Sequence, residues 1–262
     1  MEMQHSLVSS RKLSVRLAAS EQDVRAAQQL RWHVFYEEMG AQPPSGMCVG
    51  LDCDAYDDLC DHLLVIDDMA DQESRIVGTY RLLRQDRLLQ GQSFYSAQEF
   101  DLSDVLSESG VAGQVLELGR SCVLPAYRTS GTIALLWRGI ADYVATHNIR
   151  LMLGCASFHG TDPQEHGLGL SYLTHKHLAP HGYRPRAIGA DVIKTDLLPI
   201  GSYDERRALM TLPPLVKGYL RTGAMIGEGA YVDHAFNTID VCIVLPVAQM
   251  IGRYLTKFSA AA

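Results

Sequence analysis

Leu13, Val15 and Leu17 alternate with polar residues, the period of a half-buried strand. The period then lengthens. Val24, Ala27, Leu30 and Val34 recur at helical spacing behind Ser20, a good cap residue, so a helix is predicted over residues 21–38. Gly40, Pro43, Pro44, Ser45 and Gly46 break the chain into a loop. Apolar runs at 62–66 and 75–83, joined by a polar turn, read as a hairpin. A variable stretch opens at Phe94-Tyr95-Ser96, with a short helix near 102–106. Residues 115–124 make the strongest central strand, and Pro125 and Gly131 punctuate its end. A helix over 132–146, a strand over 151–157 and a helix over 164–177 follow. This order predicts a crossover between neighbouring parallel strands. The pattern weakens from 187 to 210, which reads as an insertion with long loops. Leu212-Pro213-Pro214 opens a helix through 222, because Pro is tolerated in a first turn. A strand over 239–245 and a helix over 247–258 complete the pattern. Residues 1–12 are polar and read as a flexible tail. With no internal repeat or Gly/Ser linker, 13–262 reads as one mixed α/β (α+β) domain.

Composition narrows the class. The chain has 262 residues, 47% hydrophobic and 20% charged, with a net charge of −7. That excludes collagen-like and wholly disordered chains. It also argues against a basic nucleic-acid binder, which needs a Lys/Arg surplus for counterion release. None of the six cysteines forms a C-x-x-C pair, so a zinc ribbon or thioredoxin-like site has no support. Cys122, Cys155 and Cys242 lie in apolar runs and read as buried hydrophobes in a reducing, cytoplasmic protein. The N-terminus lacks the apolar core of a signal peptide, and the most apolar stretch, 241–251, is interrupted by Pro246 and too short to span a bilayer. A soluble or peripheral protein is expected.

Charge is unevenly spread. Eleven acidic residues and no Lys or Arg fall between Trp32 and Ser74, leaving 23 basic residues against 19 acidic ones elsewhere. Such a run is either a solvated face or a site for a cationic ligand. His62-x4-Asp67 matches a known acyltransferase pattern, but the two project to opposite faces of an apolar strand and read as coincidence. His175, His177 and His181 fit no standard metal spacing and read as structural. No Gly-x-Ser-x-Gly elbow is present.

Several motifs occur in a fixed order. Arg31-x-x-Val34-Phe35-x-x-Glu38 lies on the first helix, and Asp52-x-Asp54-x-x-Asp57 after the loop. Gly78-Thr79-Tyr80-Arg81-Leu82 and Glu117-Leu118-Gly119-Arg120 lie on strands. Arg128-x-x-Gly131 opens the next helix and resembles the acyl-coenzyme turn of the GNAT N-acyltransferase superfamily, with Ile133 departing from its last position. The ordered set resembles the GNAT branch that uses acyl carrier proteins, which includes the acyl-homoserine-lactone synthases and the ornithine N-acyltransferases. Leu212-Pro213-Pro214-Leu215-Val216-Lys217-Gly218-Tyr219, Phe236-Asn237-Thr238-x-Asp240, Gly154-Cys155-Ala156-Ser157 and Leu178-Ala179-Pro180 resemble the ornithine N-acyltransferases. The resemblance spans about 13–258.

It implies a GNAT-like, mostly antiparallel sheet flanked by helices, with a family-specific part from about 178 to 262. It implies transfer of a 3-hydroxyacyl chain from acyl carrier protein to the α-amine of ornithine. The product would be lyso-ornithine lipid, completed by a separate O-acyltransferase. No resident cofactor is implied, since 4′-phosphopantetheine arrives on the donor, and no metal. A lactone synthase or related amino-acid N-acyltransferase is the alternative enzyme, and a degenerate carrier- or lipid-binding protein the non-enzyme alternative.

The chemistry needs a base, because an amino acid's α-amine is mostly protonated at pH 7. Glu117, Asp52, Asp54 and Asp57 are candidates, Asp52 by resemblance to the lactone synthases. Clustered Asp residues, with Glu38, would hold the side-chain ammonium, with Arg31 organising them. Arg81 or Arg120 would fork onto the carboxylate. Glu117 and Arg120, three apart on a strand, are expected on opposite faces, with separate roles. A backbone N–H near Val123–Leu124 would polarise the thioester, and the turn of Arg128, Thr129, Ser130, Gly131 and Thr132 would take the phosphate. Trp137, Phe158 and Leu153 are candidates for an acyl slot, with core packing the stronger expectation for each. From Lys176 to Arg221 eight basic residues face four acidic ones. Arg184, Arg186, Lys217 and Arg221 are thus candidates for docking the acidic carrier, or for peripheral contact with the inner membrane.

Overall fold

The computed structural model describes residues 12–71, 75–107 and 113–250. Its strands are β1 (Leu13–Leu17), β2 (Asp61–Asp67), β3 (Ile76–Arg84), β4 (Phe100–Asp101), β5 (Val115–Val123), β6 (Leu151–His159), β7 (Arg186–Ala187), β8 (Val192–Ile193), β9 (Met225–Ile226), β10 (Ala230–Asp233) and β11 (Thr238–Pro246). Its helices are α1 (Glu21–Trp32), α2 (Ser103–Ser107), α3 (Ser130–Thr146), α4 (Gly167–His177), α5 (Glu205–Thr211) and α6 (Pro214–Thr222). Nine strands form one sheet in the order β1-β2-β3-β5-β6-β11-β10-β8, with β9 pairing β11. β5 and β6 run parallel and the other paired strands of this sheet run antiparallel, as expected. α3 is the crossover between the parallel pair.

Period-two alternation divides the sheet's side chains between two layers. Leu63, Val65, Leu116, Leu118 and Ile243 pack with Trp137 and Ile140 of α3, Leu170 of α4 and Val216 of α6. On the other face Leu64, Ile66 and Cys122 pack with Ala27 and Leu30 of α1. Farther along that face Val115, Leu153, Cys242 and Val244 pack with Phe94, Phe100 and Val105. Trp137, Phe158 and Leu153 all belong to these cores rather than to a free slot.

Three expected elements change. The first helix is α-helical through Trp32, then widens to a π-helix over His33–Glu38, which turns Phe35 and Met39 toward the site. The weak 187–210 stretch holds β8 and the start of α5, whose Asp204 side chain caps it through the Arg207 N–H. Of the expected 247–258 helix, Val247–Gln249 form a single 3-10 turn. Its part beyond 250 lies outside the described residues, as do tail residues 1–11 and the hairpin turn at 72–74.

Candidate active site

The site lies on the α1 face, where four strands change character at the same level. Along β6 the residues facing this side run Leu151, Leu153, Cys155, Ser157, and along β11 they run Val244, Cys242, Asp240, Thr238. On β5 Val115 gives way to Glu117, and on β3 Leu83 to Arg81. Apolar floor therefore becomes polar floor across the sheet, and a cavity of about 120 Å³ opens over it. β5 and β6 pair over Val115–Glu117 and Leu151–Leu153, and beyond that they part. Gly154 stands at the fork, where a Cβ would run into the Leu118 carbonyl oxygen.

Arg120 overturns the expectation of opposite faces. Two residues of β5, Arg120 and Ser121, oppose Tyr80 of β3 in a bulge, and Arg120 takes φ 48°, in the left-handed region. An extra residue resets the alternation. Arg120 and Glu117 consequently line the same cavity. They have separate partners all the same. The Glu117 carboxylate accepts the Tyr95 N–H at 2.8 Å and the Ser96 N–H at 2.7 Å, pinning that segment over the sheet. Burial raises its pKa, against the pull of those donors.

Arg31, Arg81 and Arg120 meet Asp52, Asp54 and Asp57 in one network. Arg31 contacts Asp52 at 2.8 Å and Asp57 at 2.7 Å. Arg81 reaches Asp54 at 2.7 Å and Asp57 at 3.7 Å. Arg120 reaches Asp52 at 3.2 Å and Asp54 at 3.5 Å. Three cations match three anions, so this cluster has no spare negative charge for an ammonium ion, which corrects the reading of the acidic run as a cation site. Glu38 is likewise engaged, forked by Arg128 through two contacts of 2.6 Å. The Arg120 guanidinium is sandwiched between the rings of Tyr95 and Phe236, 4.7 Å from each centroid. It also donates to the Tyr95 hydroxyl at 3.3 Å.

Among the described residues, Glu99 and Asp240 face the cavity with neither a basic partner nor the pair of backbone N–H donors that Glu117 accepts. Asp233 lines the same wall, its carboxylate accepting the Ala235 and Phe236 N–H groups. Burial first, then mutual repulsion for Glu99 and the Asp233 charge for Asp240, pushes both carboxyls above their ordinary range. Cys155 sits between them, its Sγ 3.4 Å from a Glu99 oxygen, rather than inside the apolar core. Glu99 lies in a stretch with little periodicity and carries no signal in the sequence. Asp240 carried a visible signal, a lone carboxylate inside the run Thr238–Pro246, every residue of which is buried.

The turn after β5 has the expected shape. Pro125–Tyr127 make one 3-10 turn, and Thr129 caps α3 by accepting the Thr132 N–H at 3.2 Å. Thr132 is itself buried, which leaves Ser130, Gly131 and the helix N-terminus facing out. Of the four basic residues expected at a docking surface, Arg184 and Arg186 both approach Glu228, at 3.9 and 3.7 Å. Arg184 donates to the Ala179 carbonyl at 2.6 Å, and Arg186 pairs with Asp104 at 2.9 Å. Lys217 and Arg221 lie on α6, where Lys217 donates to the Met210 carbonyl at 2.8 Å. His62 bonds the Asp57 carbonyl, His175 bonds Tyr203 and Asp196, and Asp67 accepts from Tyr127, so these side chains have structural partners.

A mostly antiparallel sheet whose parallel strands part over a polar cavity, followed by a turn that caps the crossover helix, defines an acyltransferase of the GNAT class. The family described as acetyltransferase (GNAT) domain matches residues 30–138. In fold the chain is similar to FeeM, an N-acyl amino acid synthase from uncultured soil microbes, with a TM-score of 0.53 at 9% identity, covering 91% of this chain and 93% of that one. It is also similar to the AHL synthase LasI, with a TM-score of 0.50 at 12% identity over 92% and 96% of the two chains. In sequence it is 47% identical to the L-ornithine N(alpha)-acyltransferase of Agrobacterium fabrum, over 95% of this chain and 86% of that protein. It is 46% identical to the enzyme of that name from Brucella abortus, over 95% and 90%. The chain belongs to the L-ornithine N(alpha)-acyltransferase family. Among the described residues no helix is long and apolar enough to cross a membrane.

Proposed function

We propose that the protein transfers a 3-hydroxyacyl chain from an acyl carrier protein thioester to the α-amine of ornithine, releasing the carrier thiol and lyso-ornithine lipid. The supporting observation is the cavity at the fork of β5 and β6, where buried carboxylates and Arg120 surround space open to an edge of β5. The likeness to ornithine N-acyltransferases supports the acceptor. The donor brings its own 4′-phosphopantetheine, whose phosphate meets the turn at Arg128–Thr132. Arg128 is then released from Glu38. The acyl thioester lies along the parted edge of β5, where a backbone N–H stabilises the oxyanion.

Each step uses a group in place. Arg120, in reach of the cavity and held by Asp52 and Asp54, orients the acceptor carboxylate. The neutral α-amine attacks the thioester carbon, the C–N bond forms and the C–S bond breaks. Glu117 takes the amine proton, directly or through water, and the thiolate leaves to be protonated. A pKa raised by burial makes Glu117 a stronger base than an exposed carboxylate. Asp52 and Asp57, locked onto Arg31, hold the arginines in position instead. No metal or resident cofactor has a part in this scheme. The product is amphipathic and is handed to a separate O-acyltransferase, which suits a protein working in the cytoplasm with peripheral contact at the inner membrane.

One assay decides the reaction. The purified protein is incubated with 3-hydroxyacyl carrier protein and ornithine. Lyso-ornithine lipid by mass spectrometry, with matching thiol release, is expected. Thiol release without an ornithine adduct, or no thiol release, overturns the reading.

A further inference from the structure

Once the arginine–aspartate network is matched, the cavity still holds negative charge on its far wall. Glu99 and Asp240 are each 6% exposed, and no described Lys or Arg lies within ion-pair distance of either. Their carboxylate oxygens and Cys155 Sγ lie within 4.8 Å of one another. Asp240 Oδ1 is buried without a hydrogen-bond partner, and so is the neighbouring Thr238 Oγ1. Both residues line the cavity. A buried acceptor left unmade costs free energy, so its retention beside a cavity points to an incoming donor.

We propose that Glu99 and Asp240 bind the side-chain ammonium of the acceptor, selecting a diamino acid over amino acids with uncharged side chains. This rests on the N-acyltransferase reading above. The chemistry of the wall favours an ammonium ion. A primary ammonium carries three N–H donors. Asp240 Oδ1, a Glu99 oxygen and Thr238 Oγ1 are three acceptors for them. A divalent metal fits less well. Burial drives the Cys155 pKa well above its usual value, so the sulfur stays a neutral thiol, and the guanidiniums of Arg81 and Arg120 share the cavity. Burial and nearby negative charge raise the pKa of both carboxyls, Glu99 to about 8 and Asp240 to about 6, so the pair retains a proton near pH 7. An arriving ammonium replaces that proton as the counter-charge and releases it.

The test compares ornithine with norvaline, which has the same carbon skeleton and no side-chain amine. Wild type, Glu99→Gln and Asp240→Asn are assayed for both, with fold checked by circular dichroism. Each variant is expected to raise the KM for ornithine about 10- to 100-fold, the range for losing a charged hydrogen bond. The kcat for ornithine changes less than about threefold, and kcat/KM for norvaline is unchanged or higher. Binding of ornithine to wild type by calorimetry, without donor, is expected to release protons, and to release fewer in either variant. Equal losses of kcat on both acceptors would make the pair the proton acceptor and overturn the proposal. Unchanged ornithine KM in both variants would overturn it too, as would activity that a chelator abolishes and a divalent cation restores. If wild type acylates neither amine yet binds ornithine and not norvaline in these measurements, the subsite stands and the reaction reading falls. If it binds neither, both fall.

Discussion

Two groups of carboxylates serve one cavity, one paired to the arginines that line it and the other lining its wall. Asp52, Asp54 and Asp57 each contact two guanidiniums, and their charge is consumed within the protein. Glu99 and Asp240 are as buried as Asp57 and have no such partner. The first group behaves as structure, a rigid frame that fixes Arg81 and Arg120. The second has no cation of the protein against it and retains a proton until a ligand supplies the counter-charge. Density of acidic residues along the chain therefore says little about where free negative charge stands. What matters is how many cations the fold brings to each carboxylate.

That contrast can be broken experimentally. The largest effect is expected from Arg31→Met, which takes one of two cations from each of Asp52 and Asp57 and leaves the buried network one positive charge short. Removing one partner of such a pair costs about 3–5 kcal/mol, read as a shifted denaturation midpoint. If the variant melts like wild type, the frame is not structural. Next is Glu117→Gln. A general base contributes about 10²- to 10⁴-fold, so kcat falls by that factor while ornithine KM moves little. A wild-type kcat assigns the proton transfer elsewhere.

A smaller effect separates the second group from the first. Glu99 has its pKa raised to about 8 from the ordinary 4.5. Between those values the folded state keeps a proton that the unfolded chain has lost, so stability declines as pH rises toward 8. The groups facing it are Asp240, Asp233, Cys155 and Arg120. Glu99→Gln is expected to flatten this decline and to be more stable than wild type at pH 8, by at least one pKa unit's worth, about 1.4 kcal/mol. A steeper pH dependence in the variant would contradict the unmatched charge. The smallest effect is at the surface. Glu38→Gln removes a half-exposed contact with Arg128, and stability should change by less than about 1 kcal/mol. A larger loss would place Glu38 within the frame.

Much of the sheet was legible because its strands are buried and periodic. β2, β3, β5, β6 and β11 lie within two residues of their expected ends, and the crossover order correctly indicates the parallel pair. The gathering of Arg31, Arg81 and Arg120 on the three aspartates was legible only as a resemblance in motif order. Two things were hidden for physical reasons. Alternation assigns Arg120 the wrong face, because a one-residue bulge leaves no mark in hydrophobic pattern. Glu99 follows the single 3-10 turn Tyr95–Gln98 in a segment with little periodicity, and it reaches the site only because Glu117 pins Tyr95 and Ser96 from the sheet.

β5 also acts as a ruler. It carries Glu117 at the amine's end and finishes at Val123, two residues before Pro125 opens the turn that leads to the proposed phosphate site. Five residue steps lead from Arg120 to Pro125, a span of at most roughly 16 Å at about 3.3 Å per residue. That fixed length sets how far a flexible arm must reach before its thioester meets the amine. Inserting two residues after Ser121 would preserve which face each side chain takes and lengthen the span by roughly 7 Å. Such a protein would hold both substrates and join neither. Distance along a single strand would thus separate binding from turnover.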